Sequence, residues 1–334
     1  MAFRSRSVML CRVALGLQPR NLSYRPRCHQ ICRYVTVSHE VEKPFQEVQI
    51  PVPWGYVAGK WWGDQNVQPV LGLHGWDDNC ATFDTLAPLL NLPSFLTVDI
   101  MGHGMSSYFP IFGASNFMDA VILLRRIVNY FEWNKISIVG HSFGSAMGFT
   151  YAGIYPDDVE KLVGIECARS LLSDTQPLLE RLRDTMEQTL AIEEKMVASD
   201  PPDYTIEELV DKMYEGRFKS VTRESCAVLL RRGMKKSEKN KDRYYLSRDP
   251  RVKPSWIGCA QDEQLMELAR RMKCKVLSVR GKQGFLLSGA VERVYVQTLK
   301  EIKQCEHHDV DGSHHLHLNN PENVAPLINK FFSV

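Results

Sequence analysis

Several things are scarce in this chain of 334 residues, and each scarcity removes a class of protein. No apolar run approaches the roughly 18 to 20 residues of a membrane-crossing helix, so no transmembrane segment is expected. Internal repeats and low-complexity tracts are missing, which removes solenoids and disordered scaffolds. Cysteine is present nine times but never as a C-x-x-C pair, and three of the nine (Cys11, Cys28, Cys32) lie in the first 34 residues. Neither a zinc site nor a disulfide framework is expected from such spacing. The densest basic stretch, from Arg231 to Arg243, has Glu238 and Asp242 inside it and reads as a solvated loop, so nucleic acid is not an expected partner.

Acid is also missing from the amino terminus, where the first carboxylate is Glu40. The first 34 residues hold seven arginines and several serines, and their longest apolar block, Val8-Met9-Leu10, stops at Cys11-Arg12. That block is too short for a secretory signal, whereas arginine-rich, acid-free composition is that of a mitochondrial targeting peptide cleaved near Tyr34. A cytoplasmic or peroxisomal location is the alternative. Because those arginines account for seven of the chain's 41 basic residues against 39 acidic ones, the rest of the chain is net acidic.

A hydrophobic content of 44% supports a sizeable core. Strand-like runs are expected at 45–52, 56–62, 67–73, 95–100, 135–139, 162–166, 274–279 and 306–310. Helical spacing occupies 82–90, 117–132, 142–155, 261–272, 288–303 and 321–332. Two early antiparallel strands followed by strand-helix alternation predict an α/β domain, a mostly parallel central sheet with helices on both faces. Between Cys167 and Ala260 the strand rhythm stops and helical segments take over at 176–198, 206–214 and 224–231, the second after a Thr205-x-x-Glu208 capping box. The predicted organisation is therefore a core from 35–166 and 261–334, with 167–260 inserted as a helical cap over the carboxyl edge of the sheet, its apolar faces lining a substrate pocket.

One motif carries the chemistry. Gly140-His141-Ser142-Phe143-Gly144 follows the apolar run Ile136 to Val139 and opens a helical segment, the strand-turn-helix context of a nucleophile elbow. A serine hydroxyl is a poor nucleophile near neutrality, so Ser142 needs a base within reach and donors for the oxyanion that follows attack. For the base, the loop Gly312-Ser313-His314-His315-Leu316-His317 offers His314, with His315 and His317 as close rivals. The five histidines from His307 to His317 could instead ligate a metal, but adjacent pairs lack the spacing that puts rings on one face. For the donors, the turn Leu73-His74-Gly75-Trp76 leaving a buried strand can aim the Trp76 amide, and Phe143 supplies the second. His74 is read as structural, Gly102-His103-Gly104 as a shaping turn, and His141 as a support for its neighbour. None of these parts asks for a cofactor.

Together with Val52-Pro53-Trp54-Gly55, Leu73-His74-Gly75-Trp76-Asp77-Asp78-Asn79 and Gly102-His103-Gly104-Met105-Ser106, these motifs resemble the α/β-hydrolase superfamily and, within it, the serine hydrolase-like proteins, over about residues 45 to 333. The resemblance implies an α/β-hydrolase fold in which Ser142, His314 and the amides of Trp76 and Phe143 are the working parts. Epoxide hydrolases and haloalkane dehalogenases share the scaffold but carry Asp where this chain has Ser142. Many members place the triad's acid after the strand equivalent to 276–279, where this chain reads Gly281-Lys282-Gln283-Gly284. Others place it one strand earlier, which makes Glu166 the candidate. The implied activity is a cofactor-independent serine hydrolase acting on a small-molecule ester, thioester or related acyl substrate. A hydrolase-fold binding protein without efficient turnover and a carbon–carbon bond hydrolase are the alternatives.

Overall fold

The computed structural model describes residues 44–110, 116–166, 175–254, 261–284 and 289–333. The amino-terminal leader, Cys167, Cys259 and both ends of the expected insertion lie outside the described residues.

Two antiparallel strands, β1 (Phe45–Val52) and β2 (Gly55–Gly63), open the sheet, with Val52 paired to Gly55 across the turn. Gly55 has φ 147°, and a Cβ there would lie 2.1 Å from the Ser107 hydroxyl oxygen, so the tight Val-Pro-Trp-Gly turn needs a glycine. β3 (Val70–Leu73), β4 (Ser94–Val98), β5 (Ile136–His141) and β6 (Val159–Ile165) follow; two later strands join them, Lys275–Gln283 and Cys305–Ser313. In space these last two extend the sheet beyond β6, giving eight strands that run parallel from β4 onward, while β2 meets β4 antiparallel.

Alternation along the central strands fills both faces of the sheet. Ile138, Leu162 and Val276 belong to one apolar cluster, with helices α1 (Phe117–Tyr130) and α2 (Phe143–Ile154). Their neighbours Val139, Val163 and Leu277 belong to the other, with Phe83, Leu86, Val324 and Ile328. A strand covered on both sides has no solvated face, which is why these strands read as near-continuous apolar runs. The start of α1 is set by a reciprocal cap, Asn116 accepting from the Met118 amide and Asp119 from the Asn116 amide.

The strand order reverses at β3. From β3 the chain steps to β4 on one side, and after α1 it returns as β5 on the other. In parallel sheets the crevice at such a reversal, beyond the carboxyl ends of the strands, is where ligands bind. The Gly75-Trp76 turn leaves β3 and Ser142 leaves β5, so topology alone puts the two turns side by side.

The insertion carries α3 (Thr175–Ala198), α4 (Ile206–Gly216) and α5 (Arg223–Gly233). Leu209, Val210, Cys226, Leu229 and Leu230 form its own apolar core, closed by Ala81 and Leu318 from the main domain. It is not wholly helical, as the sequence reading had it: β7 (Met234–Lys236) and β8 (Tyr244–Leu246) pair antiparallel. Strands of three residues are too short for alternation to show, and the surrounding charge masks them. A second correction falls at 82–90, which forms two short 3₁₀ turns, Cys80–Phe83 and Ala87–Leu89, instead of one α-helix. Pro88 lacks the amide that a continuing helix would use. The chain then completes the sheet with α6 (Asp262–Arg271), β9 (Lys275–Gln283), α7 (Gly289–Glu301) and β10 (Cys305–Ser313), and ends with α8 (Leu316–Asn319) and α9 (Ala325–Ser333).

Close approach of α2 to β5 depends on Gly140, where an added Cβ would sit 2.5 Å from the backbone of Ser145. Backbone cannot swing aside as a side-chain tip can. Gly140→Ala is therefore expected to lower unfolding free energy by about 1–3 kcal/mol, the range for overpacking, as read by urea denaturation.

Candidate active site

Ser142 stands between β5 and α2 with φ 49° and ψ −111°, a conformation that L-residues avoid. Its amide is tied to the Ile165 carbonyl at 2.9 Å, so the chain on the β6 side holds the strained turn in place. The side chain is half-exposed at the end of the sheet. Phe143 is the first residue of α2, and amides in a helix's first turn have no partner within the helix. Gly144 lets that turn come against the chain leaving β3, since a Cβ there would lie 2.1 Å from the Leu73 carbonyl oxygen. The Trp76 and Phe143 rings meet with centroids 5.1 Å apart. The two residues expected to offer oxyanion donors thus occupy adjoining turns.

His314 follows β10 on the base loop. Its Nδ1–H donates to Glu166 Oε2 at 2.8 Å, and both side chains are buried. Fixing the proton on Nδ1 leaves Nε2 with its lone pair, the tautomer a general base needs. Burial, and then the neighbouring His315 ring, hold the imidazole below its ordinary range, so it is neutral at pH 7. The ring of His141, the residue before Ser142, donates through Nε2 to the His314 carbonyl at 2.9 Å. The base loop is thereby bonded directly to the strand that carries the serine.

Glu166 is the residue after β6 and has φ 68°. Its amide donates to the Val279 carbonyl at 2.7 Å, and its Oε1 accepts from the Gly281 amide. The absence of a carboxylate at Gly284 has a steric counterpart. A Cβ at 284 would lie 2.3 Å from Glu166 Oε2, so the space beside the base is already filled by the acid from the neighbouring strand.

The rival histidines go elsewhere. His315 bonds Asp78 Oδ2 through Nε2 at 3.1 Å, and His317 bonds the Thr82 hydroxyl at 2.8 Å. His307 and His308 lie on β10 with Asp309 and Glu306. His74 accepts the Ile100 amide on Nε2 at 2.9 Å and its Nδ1–H donates to the Gly75 carbonyl at 2.7 Å, a brace between two turns. His103 braces the same region, its Nδ1–H donating to the Met101 carbonyl at 3.0 Å. Burial pushes it down to about 4, which suits a ring that stays neutral.

Among the described residues Asp78, His141 and His315 put one ligand atom each within 4.8 Å of one another. The two oxygens of Asp78 are instead taken by Arg217 at 3.0 Å and His315 at 3.1 Å. In the sequence Asp78 stood only as part of the family motif, with no role of its own, and Arg217 was not named. The available signal was a pair of adjacent carboxylates, Asp77-Asp78, in a turn leaving a buried strand, where unpaired charge is costly.

This arrangement defines an α/β hydrolase, and the family model for the α/β hydrolase fold matches residues 68–321. A probable serine hydrolase of Drosophila melanogaster is 37% identical over 297 residues, covering 87% of this chain and 88% of that one. Serine hydrolase-like protein 2 of Homo sapiens is 31% identical over 307 residues, covering 85% and 93%. Among solved structures, a hypothetical protein from Pseudomonas aeruginosa PAO1 superposes with a TM-score of 0.75 at 26% identity, over 86% of this chain and 99% of that one. The chain belongs to the α/β hydrolase family and, within it, to the serine hydrolase-like proteins.

The backbone at 142 suits glycine better than any L-residue. Ser142→Gly is expected to be more stable than Ser142→Ala by about 1 kcal/mol, the reverse of the usual order in a helical context, when both are unfolded in urea.

Proposed function

We propose that this protein is a cofactor-independent serine hydrolase that cleaves an ester, thioester or related acyl bond through an acyl-enzyme on Ser142. The observation that carries the reading is the hydrogen bond from His314 Nδ1 to Glu166 on a loop bonded to the elbow strand. Attack forms the Oγ–carbonyl carbon bond while His314 Nε2 takes the hydroxyl proton. The carbonyl oxygen becomes an oxyanion held by the amides of Trp76 and Phe143. Collapse breaks the bond to the leaving alcohol or thiol, which receives the proton from His314. Water then attacks the acyl-enzyme with His314 again as base, releasing the acid and restoring the serine. Glu166 keeps the ring in its tautomer and stabilises the imidazolium formed twice per cycle.

In the same proposal, 167–260 acts as a cap over the crevice and the arginine-rich leader directs the chain to mitochondria. The reading of a scaffold without turnover draws on the missing carboxylate at Gly284, and Glu166 beside His314 supports the catalytic reading over it.

Treatment of the full chain with a fluorophosphonate probe should label the wild type and not Ser142→Ala. A folded wild type that stays unlabelled would falsify the hydrolase reading.

A second test moves the acid. Glu166→Ala is expected to lower kcat on an activated ester by up to about 10⁴-fold. In the double variant Glu166→Ala, Gly284→Asp a carboxylate returns at the position many relatives use, in space the first change has emptied. Recovery of at least tenfold over Glu166→Ala is expected. Unchanged kcat in Glu166→Ala would remove this residue from the mechanism.

A further inference from the structure

The turn after α4, residues 217 to 220, touches both halves of the site. Arg217 caps α4, and its Nε donates to Asp78 Oδ1 at 3.0 Å while its terminal nitrogen donates to the Asp77 carbonyl. Those carboxylate-bearing residues directly follow Trp76. Three residues later, the Ser220 carbonyl accepts from the Ser313 hydroxyl at 2.6 Å and from Asn319 at 2.8 Å, and the Ser220 hydroxyl meets His315 Nδ1 at 2.9 Å. Ser313 and His315 flank His314. Between the two grips, Phe218 and Lys219 are both held at positive φ, 51° and 60°. Two successive left-handed non-glycine residues persist only where the surroundings force them, and here the chain is fixed on either side.

Asp78 is where the strands of this arrangement meet. Its side chain is fully buried, one oxygen facing Arg217 of the insertion and the other facing His315 of the base loop. Resting on the hydrolase reading above, we propose that the Arg217–Asp78 pair is a positioning device: docking of the insertion sets the turn that carries the Trp76 amide and the loop that carries His314, so that the site is competent only with the insertion seated. Burial opposes ionisation of Asp78, but His315 and Arg217 outweigh it and hold the carboxyl well below its usual range. Removing Arg217 leaves a buried charge with half its partners, and the turn must shift to find water. A misplaced oxyanion donor acts on the transition state far more than on substrate binding, so the loss should appear in kcat. Arg248, which pairs with the Asp77 carboxylate, ties the insertion to the same turn a second time.

The test compares Arg217→Gln, Arg217→Lys, Asp78→Asn and Arg243→Gln in the full chain, with kcat and KM on a p-nitrophenyl ester and the rate of fluorophosphonate labelling at Ser142. Arg243 pairs with Asp203 and Glu208 within the insertion, away from both turns, and controls for general loosening. Expected is a fall in kcat of about 10²-fold for Arg217→Gln and Asp78→Asn with KM within threefold. Arg217→Lys should recover part of kcat, and Arg243→Gln should match the wild type. Because Asp78→Asn can fail to fold, the Arg217 pair decides. The coupling is overturned if folded Arg217→Gln keeps kcat within twofold, loses only KM, is matched by Arg243→Gln, or is no worse than Arg217→Lys. A wild type that does not label at Ser142 would instead sink the hydrolase reading itself, and this inference with it.

Discussion

The contact between His314 and Glu166 is the constraint around which the rest is arranged. A buried imidazole hydrogen-bonded to a buried carboxylate is costly to assemble, because each group gives up water for a few fixed partners. The structure supports the carboxylate from two backbones: its own chain is pinned to Val279, and the Gly281 amide points at its second oxygen. Glycine at 284 leaves the room it occupies. The base is supported in turn by the His141 ring reaching its carbonyl. The groups that hold this cluster, His141, Val279 and Gly281, stand on β5 and β9, so its precision comes from the sheet.

That precision coexists with local strain. Ser142, Asp77 and Glu166 all have positive φ without being glycine. Each stands at or just beyond the carboxyl end of the sheet where two turns must face one another, and each is held by a hydrogen bond to a different element or by packing around it. Three of the six non-glycine residues at positive φ among the described residues therefore stand at the carboxyl end of the sheet, and two more, Phe218 and Lys219, in the turn that docks on it.

Much of this was legible beforehand, for definite reasons. The central strands of the main sheet were marked by apolar runs because they are buried on both faces, and Ser142 was marked by glycines whose absent side chains leave room for the Leu73 carbonyl and the Ser145 backbone. Glu166 could be named as the last carboxylate before the insertion. What stayed hidden depends on partners distant in the chain. Nothing near Asp78 announces Arg217, which lies 139 residues away, and the β7–β8 hairpin is too brief to leave a periodic trace. Which of three neighbouring histidines meets the acid is likewise a question of how a turn packs, and the spacing of His314, His315 and His317 does not answer it.

The place of the acid in the chain has a practical corollary. Glu166 directly follows β6 on the stretch of chain that leads to α3, so the carboxylate lies next to the junction with the segment that carries α3, α4 and α5. Anyone building chimeras by exchanging this segment with that of a homologue would need to cut after position 166. A cut one residue earlier hands the choice of acid to the donor, and a donor that keeps its own carboxylate behind β9 would deliver a hybrid with none.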